Sequence, residues 1–394
     1  MKKNKFLILV FTFLLMMNFK ISADESFLDN NEVELIANYD NKIPNNLKVN
    51  IKYNHYPEVL DYVFITSRSA NLRKTPETTS DDNIIKKYSY DTKLKLLKKI
   101  KYQGNFWYYV EDAKGNTGYI AASVTAVRSF RFQMALDRVN NLERFINNSI
   151  DNSYKMASTN TYVANPNHEN LSWHRDKYGT GIDQNLIGTS AKGEKIIIPD
   201  RSVIKILADK GDKVIVKALS IPEELEVPKS RITSSPNIKK DFKKVIAIDL
   251  KNQNFILFEK FGEQWEIISY VYSKTGIDSK LGFETPKGYF VVPTAKYVMA
   301  YNDETGQKQG YAKFAIRFTG GGYIHGTPIN EQEEVNKEFF MRQKEFTLGT
   351  TTGTRKCVRT TEGHAKFLFD WVVKNPDKNS NVQNLTDSLY VIAF

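Results

Sequence analysis

The motif Ile324-His325-Gly326-Thr327-Pro328 is followed, after a long polar interval, by Thr354-Arg355-Lys356-Cys357-Val358-Arg359. This stretch contains the only cysteine of the 394 residues and one of only five histidines. A thiolate attacks carbonyl carbon, and a neighbouring imidazole can remove the thiol proton. The stretch therefore offers a nucleophile, Cys357, and a general base, His325. The alternative is that Cys357 is a buried small hydrophobic residue, which is the commoner fate of a free cysteine.

The first 23 residues have the pattern of a secretory signal peptide. Three lysines precede an apolar run from Phe6 to Met17, and the small-residue segment Ile21-Ser22-Ala23 precedes Asp24. The run is shorter than the roughly 20 apolar residues that a membrane span needs. We therefore expect an exported protein of the periplasm or cell wall, with no stable membrane span after cleavage. An uncleaved anchor is the alternative.

Charge and composition narrow the choice of partners. The formal net charge is +11, and it falls to +7 without the four lysines of residues 1–23. A dispersed basic surplus on an exported protein favours an anionic polymer such as the cell wall over nucleic acid. One cysteine cannot form an intramolecular disulfide. His168 and His174 lack further zinc ligands nearby, so we expect no metal site and no cofactor.

The length is too great for one hydrophobic core and predicts two to four domains. Residues 129–150 contain apolar side chains at three- and four-residue intervals, which predicts a helical connector packed on a neighbouring barrel. The predicted divisions are a signal peptide at 1–23, a loosely held leader at 24–60, a small β domain at 61–128, the connector at 129–150, a second β domain at 155–236 and a last domain at 243–394.

Short alternating strands with turn residues between them predict a small β-barrel over residues 61–128. This segment resembles the bacterial SH3-like domain at Asn71-Leu72-Arg73 with Pro76, at Trp107 with Val110, and at Gly118-Tyr119-Ile120. Residues 155–236 resemble a second, diverged copy. The resemblance implies binding to the cell wall, and the alternative is a structural spacer.

The last domain is predicted to be mostly β, with one helix after Cys357. Residues 245–250 and 255–258 read as a hairpin, and a further strand covers 267–273. Gly320-Gly321-Gly322 does not fit a phosphate loop, and we expect it to let backbone pass close to the site. Residues 331–346 read as a helix inserted between the two motifs. This insertion is either a lid over the site or a surface excursion.

The sequence resembles the L,D-transpeptidase (YkuD-type) family over about residues 244–394. The matching features occur in the family's order: a strand with Asp249, Thr275-Gly276, Thr285-Pro286-x-Gly288-x-Phe290, His325-Gly326-Thr327, and Thr354 to Arg359 with Cys357 in its centre. The implied fold class is mainly β: one or two SH3-like barrels followed by a β-rich L,D-transpeptidase catalytic domain.

The resemblance implies an enzyme that acts on peptidoglycan stem peptides. Cys357 would attack the carbonyl between the third residue of a tetrapeptide stem and the terminal D-alanine, with His325 as general base. A backbone carbonyl near Gly326 would orient His325, and the amides of Cys357 and Lys356 would face the oxyanion. Arg359 would fix the cysteine loop or meet a stem carboxylate, and the alternative is a structural salt bridge. Other supporting residues would be Gly326 and Thr354, and possible substrate-binding residues are Tyr323, Thr327 and Arg355.

The sequence departs from the family immediately before the cysteine, where the family usually has His-Gly and this chain has Arg355-Lys356. A non-glycine residue is strained if the backbone angle φ must be positive there, whereas two cations could lower the thiol pKa. We therefore expect an exported L,D-transpeptidase. The alternatives are an L,D-carboxypeptidase of the same stems and a non-catalytic wall-binding protein with a degenerate site.

Overall fold

The structure is a computed structural model, and it describes residues 22, 25–29, 32–161, 175–234, 238–279, 282–302 and 306–394. Most of its regular elements are β-strands, as the sequence predicts. None of the helices in these ranges is long and apolar enough to cross a membrane. The predicted signal peptide and the histidines at 168 and 174 lie outside the described residues.

The N-terminal part forms an eight-stranded sheet in the order β5-β4-β8-β7-β6-β3-β9, with β1 paired to β6. Two short 3-10 helices, Glu25–Asp29 and Ala122–Val124, lie at its ends. The strands up to the first long helix are β1 (Val33–Asn38), β2 (Lys48–Val49), β3 (Asp61–Ile65), β4 (Ser69–Arg73), β5 (Ile84–Ser89), β6 (Lys93–Tyr102), β7 (Asn105–Glu111), β8 (Thr117–Ala121) and β9 (Thr125–Ser129).

The leader is not loosely held, in contrast to the prediction. Its strand β1 pairs antiparallel with β6, and its strand β2 pairs with residues Glu266 and Ile267 of the last domain. Leu47, just before β2, is buried. The pairing could not be predicted from the polar composition of this segment, because backbone groups rather than side chains form the hydrogen bonds between the strands.

Helix α1 (Phe132–Asp151) has the predicted apolar face, with Phe132, Val139, Leu142 and Ile146 buried. Its packing differs from the prediction. The face belongs to one hydrophobic core with side chains of the last domain, including Val245. The helix therefore packs against the last domain instead of only on a barrel.

A second β unit follows α1 and forms a seven-stranded sheet in the order β12-β11-β15-β14-β13-β10-β16. Its own apolar core includes Ile196, Ile204 and Val216, and a 3-10 helix, Lys229–Arg231, precedes the last strand. The strands are β10 (Lys155–Thr159), β11 (Leu186–Ser190), β12 (Lys195–Ile198), β13 (Val203–Asp209), β14 (Lys213–Ala218), β15 (Glu224–Pro228) and β16 (Ile232–Thr233).

The last domain contains two six-stranded sheets and two helices. The elements are β17 (Lys244–Asp249), β18 (Asn254–Phe261), β19 (Gln264–Tyr272), β20 (Gly288–Val291), β21 (Thr294–Asn302), β22 (Lys308–Thr319), β23 (Gly322–His325), β24 (Ile329–Asn330), a 3-10 helix (Glu331–Asn336), α2 (Lys337–Phe346), β25 (Val358–Arg359), α3 (Glu362–Val372), β26 (Val382–Gln383) and β27 (Leu389–Ala393). The predicted hairpin is β17–β18, with Ile246 opposite Leu257.

The first of these sheets has the order β2-β19-β18-β17-β27-β20, and the second has the order β25-β23-β22-β21-β26 with β24 beside β22. Strand β27 lies parallel to β17, with Val391 opposite Ile246. The two sheets and α3 enclose one core, in which Phe290, Phe318 and Leu368 are buried. This core fixes the strands that carry His325 and Cys357.

A buried ion pair ties the segment before α1 to the last domain. Arg131 Nε and Nη2 donate to the two carboxylate oxygens of Asp249 at 2.6 and 2.7 Å. The amide and side chain of Asn252 also donate to this carboxylate, at 2.9 Å each. The Asp249 side chain is 3% exposed and that of Arg131 is 28% exposed.

Replacing Arg131 by methionine is expected to lower the free energy of unfolding by roughly 2–3 kcal/mol, somewhat less than for a fully buried pair, because Asp249 would keep a buried charge. Lys240→Met is the matched control, since its ion pair with Asp151 is at the surface and is worth at most about 1 kcal/mol. Chemical denaturation measures both variants. Equal losses would contradict the role given to Arg131.

Candidate active site

His325 and Cys357 come together because β23 and β25 are neighbouring parallel strands. Ile324 lies opposite Val358, and His325 lies opposite Arg359. This register places Cys357, just before β25, beside Tyr323. Because side chains alternate along a strand, positions 323 and 325 share a face with positions 357 and 359. His325 and Cys357 are therefore diagonal neighbours on one face.

The His325 ring has a defined tautomer. Its Nδ1 lies 2.6 Å from the carbonyl oxygen of Gly326, and a carbonyl can only accept a hydrogen bond. Nδ1 therefore carries the proton, and Nε2 of the neutral ring is an acceptor. Burial lowers the pKa of His325 to about 4, and the Arg359 charge acts in the same direction, against the Gly326 carbonyl. The imidazole is neutral at physiological pH and can take up a proton.

Cys357 is partly buried, and its thiol donates to the carbonyl of Gly321 across a long contact of 3.8 Å. Burial raises the thiol pKa above its ordinary value, although the Tyr323 backbone and the cations of Lys356 and Arg359 act against this. The thiol is therefore protonated at neutral pH. A base is needed to generate the thiolate, and His325 is the neutral imidazole beside it.

The turn before Cys357 is held by hydrogen bonds from residues of the family motifs. Thr354 Oγ1 donates to the carbonyl of Cys357 at 2.5 Å. Thr285 Oγ1 donates to the carbonyl of Lys356 and accepts from the amide of Gly276, both at 2.8 Å. A Cβ atom at Gly276 would lie 2.7 Å from the Cα of Lys356 and 2.4 Å from a backbone oxygen. Only glycine fits there, so the motif residues shape the cysteine turn.

Arg355 and Lys356, which depart from the family pattern, lie in different environments. Arg355 is exposed and reaches the carbonyl of Asn302 at 3.4 Å. Lys356 is buried, and its φ angle is +92°. Its Nζ forms an ion pair with Asp183 of the second β unit and donates to the carbonyl of Gly320 at 2.5 Å. The sequence pointed to the strain at Lys356 but not to Asp183.

Two of the possible substrate-binding residues are buried. Tyr323 is 8% exposed, and the Lys296 ammonium lies 5.6 Å from the centre of its ring. Thr327 is 1% exposed and donates to Glu345 of α2 at 2.6 Å. The Thr327 hydroxyl thus anchors the inserted helix to the histidine strand, a contact that sequence reasoning missed. The helical segment itself lies where it was predicted, and its role as a lid stays a prediction.

The Arg359 charge acts on both candidate catalytic side chains, because it lowers the pKa of His325 and that of Cys357. Burial lowers the pKa of its guanidinium, and its Nε has no hydrogen-bond partner. Among the described residues, no carboxylate lies within ion-pair distance of it. A desolvated guanidinium of this kind readily takes a carboxylate or another anionic group.

A cavity of about 280 Å³ lies between the second β unit and the cysteine turn, lined by Arg175, Asp183, Thr285 and Lys356 among others. Neither His325 nor Cys357 lines it. In the described part of the chain, no group of three or more histidine, cysteine or acidic side chains is placed to hold a metal ion.

His364, on α3 seven residues after Cys357, is a buried structural residue. Its Nε2 lies 2.9 Å from Ser269 Oγ, and the rings of Tyr53 and Phe255 pack against it. Burial lowers its pKa to about 3. The sequence predicted a structural role, and these contacts agree with it.

The depressed pKa of His364 makes stability depend on pH. The unfolded chain binds a proton below about pH 6.5, but the folded chain does so only near pH 3, so stability is lost as pH falls through this window. Between pH 7 and pH 5, His364 should account for about 2 kcal/mol of the loss, and His364→Gln should remove that share while the share from the lowered pKa of His325 stays. Urea denaturation at the two pH values measures this. His55→Gln, at an exposed site, is the matched control. If the pH dependence of the free energy of unfolding were reduced equally in both variants, the assignment to His364 would be contradicted.

A neutral imidazole thus lies diagonally from a protonated thiol on adjacent strands of a mainly β domain, which is the arrangement expected of a candidate cysteine–histidine pair. Residues 243–380 match the family model of the L,D-transpeptidase catalytic domain, YkuD. This part of the chain is therefore an L,D-transpeptidase catalytic domain, which confirms the resemblance read from the sequence. The SH3-like resemblance of the N-terminal segments stays a prediction.

Several solved structures are similar to the chain at low identity. An L,D-transpeptidase from Mycobacterium smegmatis shares 13% identity, with 55% of this chain and 79% of that chain covered and a TM-score of 0.27. L,D-transpeptidase 3 from Mycobacterium tuberculosis shares 13%, with 53% and 79% covered and a TM-score of 0.26. A fused Zn-dependent amidase/peptidase/peptidoglycan-binding domain-containing protein from Clostridium acetobutylicum shares 14%, with 40% and 53% covered and a TM-score of 0.24. This chain thus spans about half the length of the Clostridium protein. No curated protein matches the chain significantly.

Proposed function

We propose that this protein is an exported peptidoglycan L,D-transpeptidase in which Cys357 and His325 carry the reaction. The observation that carries the proposal is the register of β23 and β25 within the L,D-transpeptidase catalytic domain. It places the thiol diagonally from an imidazole whose tautomer is fixed by Gly326. Export is supported by the signal-peptide pattern of residues 1–23.

In the first half of the reaction, Nε2 of His325 takes the thiol proton and the Cys357 sulfur attacks the carbonyl before the terminal D-alanine of a tetrapeptide stem. The amides of Lys356 and Cys357 donate to the resulting oxyanion. When the intermediate collapses, the C–N bond breaks and the imidazolium protonates the leaving amine. D-alanine departs, and the rest of the stem is bound to Cys357 as a thioester.

In the second half, a side-chain amine of another stem attacks the thioester and gives its proton to His325. The C–S bond breaks, the thiol is re-formed, and the two stems are joined by an amide bond. Water in place of the amine would give a tripeptide and make the protein a carboxypeptidase. Arg359 has no carboxylate partner among the described residues, so its charge is available to an anionic group of the stem.

The N-terminal β units are proposed to orient the enzyme on the cell wall. This rests on the SH3-like motifs of residues 61–128 and on the basic surplus of the chain. Co-sedimentation of the mature protein, residues 24–394, with purified peptidoglycan tests it, with Cys357→Ala present so that acyl-enzyme formation cannot account for retention. Absence of the protein from the pellet would remove the proposal.

The reaction is tested by incubating the mature protein with purified disaccharide tetrapeptides and following the products by mass spectrometry, beside Cys357→Ala. Cross-linked dimers that are lost in the variant would establish transpeptidation, and tripeptides with free D-alanine but no dimers would establish carboxypeptidase activity. If both proteins leave a panel of tetrapeptides untouched, the wall-binding alternative replaces the proposal.

A further inference from the structure

The residue before the candidate nucleophile has a strained backbone. Lys356 has φ +92°, the largest value among the non-glycine residues that the structure describes. A left-handed conformation costs a residue with a Cβ atom roughly 1–2 kcal/mol. The family usually has glycine at this position, and glycine adopts such angles without strain. Some other contact must therefore hold Lys356 in place.

The Lys356 side chain supplies that contact. It forms an ion pair with Asp183, and the two side chains are only 3% and 5% exposed. Nζ also donates to the carbonyl of Gly320 at 2.5 Å. A buried ammonium without an acidic partner is strongly unfavourable. The position of Asp183 therefore determines where the Lys356 side chain can lie, and through it the backbone at position 356.

Asp183 is itself fixed by the second β unit. The next residue, Gln184, packs on the glycine run 320–322, where a Cβ atom on Gly320 would lie 2.9 Å from the Cβ of Gln184. The carbonyl of Asp200 accepts from Thr319 Oγ1 at 2.9 Å, just before this run. The turn carrying Asp183 is therefore docked on the strands beside the cysteine. It is outside residues 243–380, which match the catalytic domain.

We propose that Asp183 is a positioning residue for the reaction, contributed to the catalytic domain by the preceding β unit. Its carboxylate holds Lys356 in the left-handed conformation, which directs the amides of Lys356 and Cys357 at the oxyanion. A change of φ to a negative value would swing the Lys356 N–H away from Cys357. This inference rests on the proposed function, because those amides matter only if Cys357 is acylated.

The test compares two reactions of Cys357 in the full mature chain, of which only one forms an oxyanion. Acylation of Cys357 by 4-nitrophenyl acetate passes through a tetrahedral oxyanion, whereas alkylation by iodoacetamide displaces iodide and forms none. Asp183→Asn should lower the ratio of the acylation rate to the alkylation rate by about 10- to 100-fold, a partial loss of an oxyanion donor. A change in the thiol pKa through the Lys356 charge would alter both rates alike and leave this ratio unchanged. Neither reagent requires a stem peptide, so the result does not depend on whether tetrapeptides are substrates.

Glycine at position 356 provides the decisive comparison. The double variant with Asp183→Asn and Lys356→Gly should be acylated as fast as the single variant Lys356→Gly, because glycine keeps φ +92° without the ion pair. The combination with Lys356→Met, which removes the same charge but keeps a Cβ atom, should stay slow. Kinetic analysis on tetrapeptides should show the same pattern in kcat, with little change in KM.

Three results would overturn the proposal: full acylation by Asp183→Asn, equal loss of acylation and alkylation in that variant, or rescue by methionine as good as rescue by glycine. The first would make the ion pair irrelevant to the site, the second would indicate general disorder, and the third would trace the effect to the uncompensated charge alone. A wild-type protein that reacts with both reagents but not with any tetrapeptide would instead remove the proposed function.

Discussion

Cys357→Ala is expected to lower the rate of D-alanine release from a tetrapeptide by at least about 10³-fold, because removal of a catalytic nucleophile leaves only binding and oxyanion stabilisation. The thiol is the only one in the chain, so no second cysteine can take over. Alanine fits the space of this partly buried side chain, and the fold should be retained. Product formation measured by mass spectrometry gives the rate.

Cys357→Ser is the second variant to test, since it keeps a group of similar shape that could donate a proton. A hydroxyl is far less acidic and less nucleophilic than a thiol, so the loss should be nearly as large as with alanine. In the wild type, brief incubation with tetrapeptide should leave a tripeptide acyl group on the peptide that contains Cys357. Retained release of D-alanine by Cys357→Ala would contradict the mechanism outright.

His325→Gln is expected to lower the same rate by roughly 10²–10⁴-fold, which is the usual contribution of a positioned general base. The loss should shrink as pH rises, because hydroxide then ionises the thiol without help and burial has raised the pKa of Cys357. In the wild type, kcat/KM should rise with pH through about pH 4, where His325 loses its proton.

The pH profiles of wild type and His325→Gln measure both effects. His55→Gln, at an exposed site, is the matched control because it makes the same substitution outside the pair, and its profile should keep the wild-type shape. A loss in His325→Gln that stays constant up to strongly alkaline pH would assign His325 a role other than proton removal.

The sequence predicted those elements whose pattern is local. The hairpin β17–β18, the inserted helix and the strand β27 each have the apolar spacing of their own element. The candidate nucleophile and base follow from residue type and from motifs in a known order, and their roles stay predictions. The parallel register that brings them together was not visible in the sequence, because residues 324 and 358 are far apart in the chain.

Contacts between distant segments were the part that could not be predicted. The pairing of the leader with β6 and β19 uses backbone groups, which every sequence has. The packing of α1 was misjudged, because an apolar helix face indicates that it is buried but not against which sheet. Asp183 lies in a polar turn that carries no recognisable motif. Only its position beside Lys356, which the sequence does not show, distinguishes it from the other aspartates of the chain.

The inner position of β27 has a consequence for how the protein matures. Residues 389–393 fill the gap between β17 and β20, so the strands that flank this gap are synthesised long before the strand that joins them. While the chain is being made, the first sheet of the last domain remains split, and the strands behind Cys357 lack part of their support. The surroundings of the thiol are therefore completed only late in biosynthesis, after the N-terminal β units have had time to fold.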